Sequence, residues 1–90
     1  MSYFVTCIDK LNSLEKRIRT RDEHIVYLKK FKKNIITAGP LLDKTGNPYG
    51  SLLVLNFKNI EEVNLFLNND PYAKKKLFQK VTVKKFKKVF

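Results

Sequence analysis

Hydrophobic periodicity along this chain switches between a spacing of two and one of roughly 3.6 residues, in an order that admits few topologies. Tyr3-Phe4-Val5-Thr6-Cys7-Ile8 is β-branched and aromatic and stops at Asp9-Lys10, which makes it a first strand. Leu11 to Leu14 read as a loop in which Asn12 and Ser13 are able to cap a helix. Helical spacing then takes over from about Leu14 to Lys33, with His24, Tyr27, Leu28 and Phe31 on one stripe, acids first and bases last, and Asn34 closing it. Ile35 to Leu42 form a second strand. The Gly39-Pro40 pair inside it argues for an edge position or a bulge, because proline cannot donate to a ladder. Asp43 to Pro48 are turn chemistry, and Gly50 to Phe57 a third strand, so strands two and three form a hairpin. Asn59 caps a second helix with Glu61 and Glu62 in its first turn and Val63, Phe66 and Leu67 at helical spacing. Asp70 followed by Pro71 starts a short helix expected through Leu77, and Phe78 to Lys87 supply the last strand.

The order β-α-β-β-α-β is the split βαβ pattern. It predicts an α+β, ferredoxin-like fold over residues 1–90 as one domain: a four-stranded antiparallel sheet with the helices on one face. Strand patterning adds a further expectation. Leu53, Leu55 and Phe57 point to one side and Leu52 and Val54 to the other, while Tyr3, Val5 and Cys7 lie opposite Phe4 and Ile8. An antiparallel sheet with a solvated face alternates polar and apolar residues, and this one is apolar on both sides. A second copy packed sheet to sheet is the simplest cover, a homodimer of the dimeric α+β barrel type.

The formal net charge of +11 admits a polyanion partner. Only Arg17, Arg19 and Arg21 are arginines, however, and arginine is the residue suited to bidentate phosphate and base contacts. The lysine excess therefore reads as a chain-wide drift in residue usage, and nucleic acid is not the expected partner. No run of about 18 apolar residues and no basic-then-apolar leader is present, which predicts no membrane span and a cytoplasmic location. Cys7 is the single cysteine and His24 the single histidine, so neither an internal disulfide nor a zinc site is expected, nor any other cofactor.

Chemistry rests on few groups. His24 turns towards whatever the first helix packs on, either as a core imidazole with a hydrogen-bond partner or as an acid–base group. The topology lets Asp70 approach it. A carboxylate accepting from one ring nitrogen fixes the tautomer and leaves the other nitrogen to trade a proton. Asp70 also has a purely structural role as a helix cap. Ser51, Arg21 and Gly39 are candidate ligand contacts, with Gly39 a close-approach position; each has a plain alternative as turn residue, solvated ion-pair partner of Glu15 or bulge glycine. Tyr27 is a core residue whose hydroxyl is expected at the rim of the cleft.

Arg21-x-x-His24-x-x-Tyr27-Leu28, Ala38-Gly39-Pro40-Leu41, Gly50-Ser51-Leu52-Leu53, Asp70-Pro71-Tyr72 and Lys88-Val89-Phe90 come in an order and spacing that resembles the YCII-related family. The likeness spans essentially the whole chain. It implies a small dimeric ferredoxin-like protein with a histidine–aspartate pair, here His24 and Asp70, performing proton transfer such as elimination or isomerisation on small, often ring-shaped molecules. Phe86 stands where relatives often carry tryptophan, and Asp22-Glu23 where a small or proline pair is usual. The competing expectations are a non-catalytic small-ligand binding module using the same cleft, and a basic nucleic-acid module using the open sheet face.

Overall fold

The computed structural model describes residues 2–90. Its elements are β1 (Ser2–Asp9), α1 (Leu14–Lys30), a single 3-10 turn (Lys32–Asn34), β2 (Ile35–Leu42), β3 (Pro48–Leu55), α2 (Ile60–Asn69), α3 (Pro71–Lys74) and β4 (Phe78–Phe86). All pairings are antiparallel and the strand order is β2-β3-β1-β4. This is the ferredoxin-like α+β arrangement, with the helices on one face of the sheet.

Local chemistry accounts for the boundaries. Asn59 caps α2 by accepting from the Glu62 amide at 2.9 Å, and Asp70 caps α3 by accepting from the Tyr72 amide at 2.9 Å. α1 stops at Lys30 rather than Lys33, its last turn tightening into the 3-10 segment. α3 ends at Lys74, short of Leu77, because Lys76 turns into the left-handed region at φ 57° and ends the helical run. In the hairpin Asp43 accepts from the Thr45 hydroxyl and amide and the Asn47 amide while Gly46 takes φ 86°; those hydrogen bonds hold the Asp43 carboxyl below its usual range.

Pro40 lies on edge strand β2, opposite Ser51, so its missing donor costs the sheet nothing. The register of β2 slips at Ile36, which stands unpaired between Ile35 and Thr37, and again between Leu41 and Leu42. Gly39 is not the close approach expected of it: a Cβ there would meet nothing within 4 Å. The tight position is Gly50, where a Cβ would stand 2.4 Å from the Cys7 carbonyl oxygen of the neighbouring strand.

Tyr3, Val5 and Cys7 of β1 and Leu53 and Leu55 of β3 bury one face of the sheet against Val63, Phe66 and Leu67 of α2. Burial pushes the Cys7 thiol up to about 12, with the Asp70 carboxylate adding to the effect and Arg17 opposing it, so the thiol stays protonated. The register places Phe4, Ile8, Leu52 and Val54 on the opposite face, which no helix covers. Phe4 there meets Phe86 of β4 with ring centroids 6.4 Å apart. Among the described residues no helix is long and apolar enough to cross a membrane.

Candidate active site

α1 carries two neighbouring faces rather than the one stripe its spacing suggests. Residues 17, 21, 25 and 28 follow the i, i+4, i+8, i+11 rows of a helix, and Arg17, Arg21, Ile25 and Leu28 all line a cavity between α1 and the β2–β3 hairpin. Thr20, Tyr27 and Phe31 sit about a sixth of a turn or more to the other side and face α2 and α3. His24 falls between the two faces and serves both. Leu53, Pro40, Pro48, Ala38, Gly39, Ser51 and Tyr72 complete the wall.

The Asp70 side chain reaches His24 across 46 positions of sequence: Nδ1 lies 2.9 and 3.0 Å from its two carboxylate oxygens. A carboxylate only accepts, so Nδ1 carries the proton and Nε2 keeps the lone pair of the neutral ring. Among the described residues Nε2 has no partner while every fully buried side-chain nitrogen or oxygen has one, so Nε2 is the open end of the imidazole. The carboxylate is held from a second side by the Tyr72 amide, its capping bond to α3. Asp70 thus acts as cap and histidine partner at once, since one carboxylate has lone pairs for both.

Next to this pair lies a second ionic unit. Arg17 donates from Nε to Asp9 at 2.6 Å and from Nη2 to Asp9 at 3.0 Å, and Nη2 also donates to the Ser51 hydroxyl at 2.9 Å. Both side chains of the pair are about 95 % buried, in a fork geometry that fixes guanidinium and carboxylate in one plane. Having accepted from Arg17, the Ser51 hydroxyl keeps its own proton to offer to the cavity it lines. Tyr72 links the two units: its ring stacks on His24 at 4.0 Å and 18°, and the Arg17 guanidinium carbon lies 4.5 Å from its centroid.

Of the residues expected at the site, His24, Asp70, Ser51, Arg21 and Gly39 gather at this one place. Arg21 is exposed at the mouth, with no ion-pair partner among the described residues; Glu15 pairs instead with Arg19. Tyr27 does not belong to it. Its hydroxyl donates to the Phe66 carbonyl at 2.7 Å and its ring packs on Phe31 and Phe66, because position 27 lies on the side of α1 that meets α2. Arg17, Asp9 and Tyr72 went unassigned as site residues from the sequence. The spacing of Arg17 to Arg21 and His24, one and two helical turns, was the available signal for the first; nothing local marks Asp9, whose partner is fixed only by folding.

The cavity holds about 180 Å³. That is below the several hundred Å³ usual for drug-sized ligands and slightly above the roughly 150 Å³ that accommodates benzene in an engineered apolar cavity. A single substituted ring fits. Among the described residues no three of His, Cys, Asp or Glu are grouped to hold a metal ion.

The YCII-related domain model matches residues 1–87. Protein YciI of Escherichia coli is 33% identical over 98 residues, spanning the whole of both chains. An uncharacterized protein of Haemophilus influenzae is 34% identical over 99 residues, again spanning both. Among solved structures, the 5-chloro-2-hydroxyhydroquinone dehydrochlorinase TftG of Burkholderia phenoliruptrix, in complex with 2,5-dihydroxybenzoquinone, has a TM-score of 0.91 at 30% identity, covering 97% of this chain and 94% of that one. An antibiotic biosynthesis monooxygenase has a TM-score of 0.56 at 8% identity, covering 98% and 97%, a likeness of fold alone. The chain belongs to the YCII-related domain family.

Proposed function

We propose that this protein is an acid–base enzyme that removes HX from, or isomerises, a small hydroxylated ring. The observation that carries this is the buried Asp70–His24 contact, with Nε2 left free beside a cavity sized for one ring. Nε2 takes the proton of a ring hydroxyl. The electron pair left behind moves through the ring to the carbon bearing X as the carbonyl forms, and that carbon takes a proton back from the imidazolium and becomes tetrahedral. Nε2 then takes the proton of a second ring hydroxyl, whose electron pair forms the second carbonyl and expels X with its bonding pair. The sum is loss of HX with no oxidant needed. Asp70 stabilises the imidazolium formed on the way, and the Ser51 hydroxyl, oriented by Arg17, donates to the oxygen on which charge develops. Arg21 at the mouth favours an anionic or acidic phenol over a neutral one. The structural likeness to a dehydrochlorinase supports the same reaction type. The test is direct: incubate the protein with 5-chloro-2-hydroxyhydroquinone under anaerobic conditions and follow chloride release and quinone absorbance. Release stoichiometric with quinone is expected; no release above the uncatalysed rate overturns the proposal for this substrate type.

The uncovered sheet face completes the proposal. Phe4, Ile8, Leu52 and Val54 form an apolar surface around the two central strands, β1 and β3, and a twofold axis through that surface sets it against itself. We expect a homodimer of twice 10.6 kDa by light scattering at micromolar concentration. Leu52→Lys, which places like charges opposite each other across the axis, should shift it to monomer. A monomer for the unsubstituted chain would refute this assembly.

A further inference from the structure

We infer that the Tyr72 hydroxyl is a ligand-contacting group of this site, presented to the cavity as a hydrogen-bond donor by a ring that His24 and Arg17 hold in place. The inference rests on the proposed binding of a small oxygenated ring and names one further residue that recognises it.

Tyr72 is only 2% exposed, yet its hydroxyl makes no hydrogen bond to any group of the described residues. Since every fully buried side-chain polar atom among the described residues has a partner, the hydroxyl is the part of this residue that remains open. The opening is the cavity that Tyr72 lines with His24, Ser51 and Arg17. A buried tyrosine ordinarily spends its hydroxyl on a neighbour, as Tyr27 does on the Phe66 carbonyl. Tyr72 spends its backbone amide on Asp70, one ring contact on His24 and another on Arg17, and Phe78 meets its ring edge-on at 6.0 Å. Its aromatic part is therefore immobilised while its polar tip is unspent. Burial, with Arg17 opposing it and the Asp70 carboxylate adding to it, raises the phenol above its ordinary value, so the group keeps its proton and can donate at neutral pH. Two hydroxyl donors, Ser51 and Tyr72, and one base, His24, then line a single cavity. That set suits a ring bearing at least two oxygens.

The experiment titrates 2,5-dihydroxybenzoquinone into wild type, Tyr72→Phe and Tyr27→Phe by calorimetry. Tyr72→Phe keeps the ring on His24 and removes only the unspent hydroxyl; Tyr27→Phe removes a hydroxyl of the same chemistry outside the cavity. Weakening of about tenfold, the scale of one hydrogen bond to a charged oxygen, is expected for Tyr72→Phe and none for Tyr27→Phe. Imidazole NMR signals of His24 that match wild type in Tyr72→Phe would show that the loss does not pass through a disturbed histidine. Equal affinity of wild type and Tyr72→Phe overturns the inference and leaves the proposed function standing. A wild type that does not bind the quinone removes the ring-binding proposal and this inference with it.

Discussion

His24→Gln should fold, keep its secondary structure by circular dichroism and lose about 10²–10⁴-fold in turnover, the range that positioned acid–base catalysis supplies. The choice of glutamine matters. Asp70 is 3% exposed, so an alanine at position 24 would leave its carboxylate with the Tyr72 amide as its one remaining donor among the described residues. Losing a charge-assisted bond costs about 1.5–3 kcal/mol, a large part of what a chain of this size has to spare. A weak His24→Ala protein would therefore confound unfolding with lost chemistry. Glutamine offers an amide N–H to the carboxylate but has no nitrogen that titrates. Full turnover by His24→Gln would make the histidine a packed core residue and end the case for it as base. The binding of 2,5-dihydroxybenzoquinone should fall much less than turnover, because a proton acceptor acts on the transition state more than on the bound ring.

The largest effect on stability is expected at Arg17. Arg17→Ala strands the Asp9 carboxylate, whose side chain is 5% exposed, and removes the donor that orients Ser51. Breaking one partner of a buried ion pair costs about 3–5 kcal/mol, enough to bring a small domain close to its unfolding midpoint. The double variant Arg17→Met with Asp9→Leu removes both charges and replaces them with apolar groups that suit the site. Its melting temperature should recover most of the loss, because the penalty belongs to the stranded carboxylate rather than to the absent pair. Turnover should not recover with it, since Ser51 still lacks its anchor. Recovery of both would reduce the Arg17–Asp9 unit to scaffolding. An Arg17→Ala protein as stable as wild type would mean that Asp9 is better hydrated than its burial implies.

The order of elements was legible because each depends on neighbours close in the chain. The strand alternation, the Asn59 and Asp70 caps, the Asp43–Gly46 turn and the edge proline at 40 are decided within a few residues by φ preference, capping and the loss of a donor. Since residues at separations of two and of three to four carry the periodicity, the number of strands and helices was legible as well. Small shifts at the helix ends arose where the last carbonyls find partners only in the folded context, as at Lys32–Asn34.

The phase of α1 is a different kind of fact. Its spacing marks a broad apolar side, but about 80° of rotation separates a helix that turns Tyr27 to the cavity from one that turns Arg17 there. That rotation was chosen by contacts with α2 and β3, and it exchanged Tyr27, one of the expected site residues, for Arg17, which only its spacing to Arg21 and His24 sets apart from Arg19. Asp9 ends β1, Ser51 lies in the middle of β3 and Tyr72 comes from the start of α3, and only the antiparallel order β3-β1 brings the first two beside α1. Chain-local physical chemistry wrote the elements and placed an imidazole and a carboxylate where they could meet. Which nitrogen faces the cavity, and which cation braces its serine, came from packing alone, because a buried polar group is assigned its partner by what surrounds it in space rather than by what precedes it in the chain.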